Sequence, residues 1–209
     1  MKKSWTIFGL GNSTGDVIDA IVENRDSIYE IVLNTEVDQG LVKRFAKDIK
    51  FTDLKEFHPG SDYYTFGFAN TNKDPIVKLL DRYKLNFKNL IHPFSSISKT
   101  CESGAGNFFG PGVVVSAYVK IGNYNFFNRS GSIGHDCHIG NYNHFAPGVT
   151  TAGRCVIGDR NFLGVGSVLI DGLNIGSDVF LGGGAVVVKD ILEQGTYIGV
   201  PAKKLISKK

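Results

Sequence analysis

From Ile97 to Val187, apolar side chains recur at every sixth position without an insertion, and fourteen of the sixteen positions in that frame are Val, Ile, Leu or Phe. The two exceptions are Ser103 and Thr151. The residue that follows each of these positions is Gly nine times and Ser or Ala four times. A period of six is neither the 3.6 of a helix nor the 2 of a half-buried strand. A hexapeptide repeat marks a β-helix: each hexad gives a short strand and a turn, and three hexads close one triangular coil. The apolar residue points into the prism. The small residue after it is expected to let the chain turn a corner, because glycine carries no Cβ.

Residues 18 apart then become neighbours, one strand spacing of ~4.8 Å away. One inward column reads Phe109, Phe127, Phe145, Leu163, Leu181, and another reads Ile121, Ile139, Ile157, Ile175. Asn107, Asn125, Asn143 and Asn161 are expected to form an amide ladder. Cys137 and Cys155 stack where small residues turn inward, as core thiols. Phe108, Phe126, His144, Phe162 and Phe180 form a column that alternation points outward. Such a stripe is covered either by the chain's own ends or by another subunit. The interface is the favoured expectation.

Residues 1–92 lack the hexad. Strands are expected at Trp5–Gly9, Tyr29–Leu33, Tyr63–Ala69 and Phe87–Ile91, with helices at Asp16–Glu23, Leu41–Lys47 and Asp74–Tyr83. Their alternation implies a small Rossmann-like parallel sheet, an α/β domain preceding the β-helix of residues 93–209. Between the first strand and helix lies Gly9-Leu10-Gly11-Asn12-Ser13-Thr14-Gly15, spaced G-x-G-x-x-x-G. Such a turn can hold a phosphate or sugar-nucleotide on helix N-terminal amides, bind a dinucleotide, or be only a turn.

Composition narrows the function classes. Net charge is +3, from 23 basic and 20 acidic residues, which leaves no nucleic-acid footprint. No apolar run approaches a membrane span, so no membrane insertion is expected. Three cysteines make no disulfide framework and fit a reducing cytoplasm.

Chemistry concentrates in Gly134-His135-Asp136-Cys137-His138-Ile139-Gly140. His135 occupies a corner and can act as a general base, with Asp136 orienting its ring. Gly153 lies one coil above, where a backbone N–H could meet a developing oxyanion. Arg154 stacks on Asp136, which leaves a plain ion pair as the alternative. His144 breaks an apolar column, and His138 reads as surface. The His/Cys spacing matches no usual zinc pattern, so no metal is expected.

Gly134-His135-Asp136-Cys137-x-Ile139-Gly140-x-x-x-His144-x-x-Pro147-Gly148 resembles the signature of the bacterial sialic acid O-acetyltransferases and their relatives, the UDP-4-amino-sugar and perosamine N-acetyltransferases. Leu90-Ile91-His92-Pro93, Gly182-Gly183-Gly184-Ala185 and Gly199-Val200-Pro201-Ala202-Lys203 add to it. The resemblance implies a left-handed β-helix and a cytoplasmic homotrimer with acetyl-CoA as co-substrate between subunits. It also implies direct transfer to the amine of a nucleotide-linked amino-sugar in surface-glycan biosynthesis. His135 and Asp136 would be catalytic. His144, Gly153, Gly164, Gly183 and Lys203 would meet the coenzyme, although Lys203 also reads as a solvated tail. Gly9, Gly11, Asn12, Ser13, Gly15 and Asn34 would hold the acceptor. Sugar O-acetylation, a metal-dependent β-helix hydratase and a non-catalytic sugar-binding scaffold are the alternatives.

Overall fold

The computed structural model describes residues 2–33, 39–45 and 49–206. The N-terminal part holds β1 (Ser4–Phe8), α1 (Thr14–Glu23), β2 (Ser27–Leu33), α2 (Gln39–Phe45), β3 (Phe51–Asp53), β4 (Tyr63–Phe66) and α3 (Asp74–Leu80). The four strands form a parallel sheet in the order β3-β2-β1-β4. Three-residue β3 is too short to give a periodic signal and is absent from the sequence-based expectation. The expected strand at Phe87–Ile91 divides. Phe87 makes one bridge to Tyr64, and Leu90–Ile91 pairs with Phe108–Phe109 instead. Helix α1 buries Val17, Ala20 and Ile21, the i, i+3, i+4 stripe of an amphipathic helix.

The hexads wind into three parallel sheets, one per face of the prism. The first face carries Lys120–Ile121 and His138–Ile139, the second Phe126–Phe127 and His144–Phe145, the third Ser132–Ile133 and Thr150–Thr151. The pairings between hexad strands have the register of 18, such as Phe127↔Phe145 and Ile121↔Ile139, and the last coil shortens it, pairing Leu181 with Tyr197. The rings of Phe109, Phe127 and Phe145 stack at 4.9 and 4.6 Å inside the prism.

The hexad glycines have a different cause from the one expected. The left-handed φ angles fall two residues later, at Gly112 (71°), Ser130 (58°), Asp136 (58°) and Arg154 (56°), among others. The glycine itself is where the next coil comes closest. A Cβ on Gly122 would lie 2.6 Å from the Gly140 carbonyl oxygen, and one on Gly164 would lie 2.5 Å from that of Leu181.

The amide ladder is present. Asn125 Nδ2 donates to Asn107 Oδ1 and Asn143 Nδ2 to Asn125 Oδ1, both at 3.0 Å. Asn89 starts it below, accepting from the Asn107 backbone N–H at 2.9 Å, and the Val179 N–H closes it on Asn161 Oδ1 at 2.8 Å. A second ladder runs beside it. Asn123 Nδ2 donates to Asn141 Oδ1 (3.1 Å), Asn141 Nδ2 to Asp159 Oδ1 (3.0 Å), and the Asp159 N–H to Ser177 Oγ (2.9 Å). Its members vary in type, so no repeated letter announces it. Cys137 and Cys155 are buried free thiols, each with Sγ 3.3 Å from a carbonyl oxygen of the next coil, that of Ala152 and Ile170 respectively.

The outward aromatic stripe corrects the interface expectation at one end. Phe108 and Phe126 are 2% exposed, packed with Leu90 against Trp5, Val17, Ala20 and Ile21. The chain's own N-terminal part covers them. Farther along, Phe180 is 44% exposed and stacks on Phe162 at 4.5 Å. Asn24 Nδ2 also donates to the Ile91 carbonyl at 2.8 Å, which fixes the end of α1 to the first coil.

Candidate active site

His135 and Asp136 occupy the corner between the third face and the first. The left-handed conformation of Asp136 turns its carboxylate back on its neighbour, and His135 Nδ1 lies 2.8 Å from Asp136 Oδ2. Roughly half of each side chain is exposed, 53% and 52%. A ring held through Nδ1 leaves Nε2 for other chemistry. Arg154 does not pair with Asp136, as the alternative reading required. Its guanidinium donates to Asp171 Oδ2, one coil farther on. The Arg154 N–H donates to the His135 carbonyl at 2.8 Å, so the two coils are locked together here.

Gly153 sits directly against the ring. A Cβ there would fall 2.7 Å from His135 Nε2 and Cε1, so no other residue fits without moving the imidazole. The Gly153 N–H makes no hydrogen bond among the described residues. The ring thus leans into the notch left by the missing side chain, against a backbone whose N–H has no partner among the described residues.

A second concavity, of about 360 Å³, lies between the N-terminal part and the second face. Asn12 and Ser13 from the Gly-rich turn, Ala69, Asn70 and Thr71 from the loop after β4, and His144, Phe162 and Phe180 line it. It opens at the carboxyl ends of parallel strands, the usual ligand position in α/β sheets. Of the residues expected to hold the acceptor, Asn12 and Ser13 reach this cavity. Gly9, Gly11 and Gly15 do not line it. The Gly9 N–H donates to the Val32 carbonyl (2.7 Å) and the Gly11 N–H to Thr14 Oγ1 (2.9 Å), so those amides serve the turn itself. Asn34 lies outside the described residues.

His144 is wedged edge-on between Phe126 (5.5 Å) and Phe162 (4.9 Å), with Nε2 buried and without a hydrogen-bond partner among the described residues. Burial, with the nearby Lys73 charge, pushes its pKa down to about 4. It is therefore a neutral imidazole at physiological pH. Lys73, which sequence reasoning did not single out, is 2% exposed. Its Nζ donates to the Tyr124 carbonyl at 3.2 Å, and burial lowers its pKa to about 7.

The His144 shift has a consequence for stability. In the unfolded chain the ring takes a proton near 6.5, but in the folded protein only near 4. The unfolded state thus binds more protons between those values, and this residue's contribution to stability falls as pH drops through that window, by about 3 kcal/mol in total. His144→Phe continues the aromatic column and removes the effect. In urea titrations the variant is expected to gain on the wild type progressively from pH 6.5 to pH 4. A constant difference across that range would show that the ring titrates normally.

The remaining expected coenzyme contacts lie elsewhere. Gly164 packs under Gly183, whose N–H would be 2.7 Å from a Cβ on Gly164. Lys203 is exposed in the short strand Lys203–Lys204, while Lys204 pairs with Glu193 at 2.6 Å. His138 is exposed on the first face, as read from the sequence. Among the described residues no group of three His, Cys, Asp or Glu side chains is placed to hold a metal ion, and no helix is long and apolar enough to cross a membrane.

No protein-family profile and no curated protein matches the sequence. Solved structures do. Perosamine N-acetyltransferase from Caulobacter crescentus, determined with CoA and GDP-perosamine, is 27% identical with a TM-score of 0.84 over 98% of this chain and 97% of that one. It has been solved both unmodified and as variants of one histidine. The acetyltransferase domain of PglB from Neisseria gonorrhoeae, with acetyl coenzyme A, is 25% identical with a TM-score of 0.86 over 98% of this chain and 100% of that one. AntD from Bacillus cereus, an N-acyltransferase, is 16% identical over 58% of this chain and 80% of its own, with a TM-score of 0.52, and shows the fold alone. The chain is thus similar along its length to left-handed β-helix acyltransferases, as its hexads and His-Asp-Cys segment suggested.

Proposed function

We propose that this protein is an acetyl-CoA-dependent N-acetyltransferase acting on the amine of a nucleotide-linked amino-sugar. The observation that carries the reading is the His135–Asp136 contact at 2.8 Å beside the Gly153 notch, in a chain similar over 98% of its length to an enzyme solved with CoA and GDP-perosamine. His135 is the general base and Asp136 holds its ring. The free amine attacks the thioester carbon while His135 Nε2 takes one of its protons. The C–N bond forms, the tetrahedral intermediate collapses with loss of the C–S bond, and the proton passes to the coenzyme's sulfur. No covalent enzyme intermediate is needed. The Gly153 N–H is suitably free to stabilise the oxyanion, a contribution of about 3 kcal/mol in comparable sites.

His144, Gly164, Gly183 and Lys203 are assigned to the coenzyme, and Asn12 and Ser13 to the acceptor. The neutral His144 ring can donate or accept a hydrogen bond at the cavity. Within one chain, His135 is at the corner between the third and first faces, whereas the His144 cavity is on the second. A cyclic homotrimer would bring one copy's corner to the next copy's cavity, and this division supports that assembly. The coenzyme and the free thiols fit action in the cytoplasm, on sugars destined for surface glycans.

The test is incubation with acetyl-CoA and a panel of UDP-, dTDP-, GDP- and CMP-linked amino-sugars, read by mass spectrometry. A product heavier by one acetyl group is expected from at least one of them. Absence of any acetylated product, together with no acetyl-CoA binding by calorimetry, would overturn the assignment.

A further inference from the structure

The corner of the catalytic coil continues upward as a column of residues 18 apart: His135, Gly153, Asp171. Because Gly153 has no side chain, the groups below and above it converge on one notch. The point that a Gly153 Cβ would occupy lies 2.7 Å from His135 Nε2 and 3.0 Å from Asp171 Oδ1. Each group has its other polar atom committed. His135 Nδ1 is held by Asp136, and Asp171 Oδ2 accepts from the Arg154 guanidinium. What remains is a pair of acceptors, Nε2 and Oδ1, flanking Gly153 from either side with no hydrogen-bond partner among the described residues.

We propose that Asp171 determines the choice of nucleophile: its Oδ1 accepts one N–H of the incoming amine while His135 Nε2 accepts the other. The inference rests on the acetyltransferase reading above and extends it to a residue outside the His-Asp pair. A neutral primary amine has two N–H bonds and one lone pair. With both hydrogens held, the lone pair is left to face the thioester carbon. The ammonium form sheds one proton to solvent before it enters. His135 then takes a second as the C–N bond forms, and that proton leaves on the coenzyme's sulfur. A hydroxyl has a single O–H bond. It can satisfy His135 or Asp171 but not both, and the acceptor left over confronts its lone pairs. An acceptor left unsatisfied once the bound sugar and coenzyme exclude water is strongly disfavoured, and sites built to bond two hydrogens reject analogues that lack one. Arg154 fixes the carboxylate by its other oxygen, so the geometry does not depend on the acceptor.

The experiment compares wild type, Asp171→Ala and Asp171→Ser with a nucleotide amino-sugar that the wild type acetylates and with its hydroxyl analogue. For transfer to the amine, kcat/KM is expected to fall roughly 10–100-fold in both variants, the loss of one hydrogen bond to a charged acceptor. Transfer to the hydroxyl should hold steady or rise, so that the amine-to-hydroxyl ratio collapses. If hydroxyl transfer is too slow to time, the analogue's Ki as a competitive inhibitor is read instead and should stay constant or tighten. The KM for acetyl-CoA should be unchanged. An unaltered ratio, or an equal loss for both acceptors, would overturn the role of Asp171 while leaving the acetyltransferase reading intact. A wild-type protein that acetylates no amino-sugar would overturn that reading, and this inference with it.

Discussion

His135→Ala lowers kcat/KM for acetyl transfer by roughly 10²–10⁴-fold, the range over which a positioned general base acts. Acetyl-CoA affinity should stay within a few-fold, because the variant removes a proton acceptor and leaves the coil backbone in place. Three features set the size of the effect. Asp136 fixes the ring through Nδ1 at 2.8 Å, so only Nε2 is available to the substrate. Gly153 leaves no atom between Nε2 and the notch, and a side chain there would collide with the ring. Neither of the other histidines in the hexad coils is placed to substitute, since His138 faces outward on the first face and His144 is wedged between Phe126 and Phe162. The measurement is initial-rate kinetics with product identified by mass. Turnover within a few-fold of wild type would remove His135 from the chemistry. The corner would then be an ordinary solvated ion pair, a contact worth little by itself.

The β-helix was legible because its contacts are arithmetic. A period of six and a coil of 18 convert sequence separation directly into neighbours, and the columns of Phe127 and Phe145 or Ile121 and Ile139 follow. The same arithmetic placed Gly153 over His135. Carried one coil farther it reaches Asp171, which the sequence reading passed over because an exposed acid on a corner looks like any solvated charge. The role of the hexad glycines was misread for a related reason. A repeat shows that a small residue is required but not why, and close approach of coils and left-handed φ have the same one-letter signature. The second ladder escaped because Asn123, Asn141, Asp159 and Ser177 do equivalent hydrogen bonding with different side chains.

Outside the repeat, contacts are not arithmetic. Lys73 and His144 meet at the junction of two parts whose docking no local pattern encodes, and the depressed pKa values there follow from burial that only the folded chain creates. In the Gly-rich turn, the letters advertise anion binding at every glycine. The fold uses the Gly9 and Gly11 amides for its own hydrogen bonds and offers Asn12 and Ser13 to the cavity instead. A sequence motif specifies donors, and the local turn decides which of them remain free.

The aromatic stripe gives the second large effect. Phe126→Glu destabilises the folded chain itself by more than about 4 kcal/mol, rather than merely separating subunits. Truncating a buried Phe costs about 3–5 kcal/mol, and a carboxylate in its place must be desolvated without a partner, which adds to that. Phe126 is 2% exposed, its ring 4.5 Å from Phe108 and 5.5 Å from His144, under the apolar face of α1. The members of that cluster are apolar, and the adjoining His144 ring is itself uncharged at neutral pH. Phe180→Glu is the internal control. The same substitution in the same column, at a position 44% exposed, leaves the carboxylate in contact with water and should cost about 1 kcal/mol or less in monomer stability. Urea denaturation of both variants, followed by Trp5 fluorescence in the α1 cluster, separates the two positions. A large loss at Phe126 with a small one at Phe180 follows if the N-terminal part covers the stripe only at its beginning. Equal and small losses would return the whole stripe to a partner subunit. The division matters for function, because the docking that buries Phe126 also sets one wall of the cavity against His144. A variant that loosens it should lose acceptor binding in parallel with stability, while His135, on another corner of the prism, keeps its contact with Asp136.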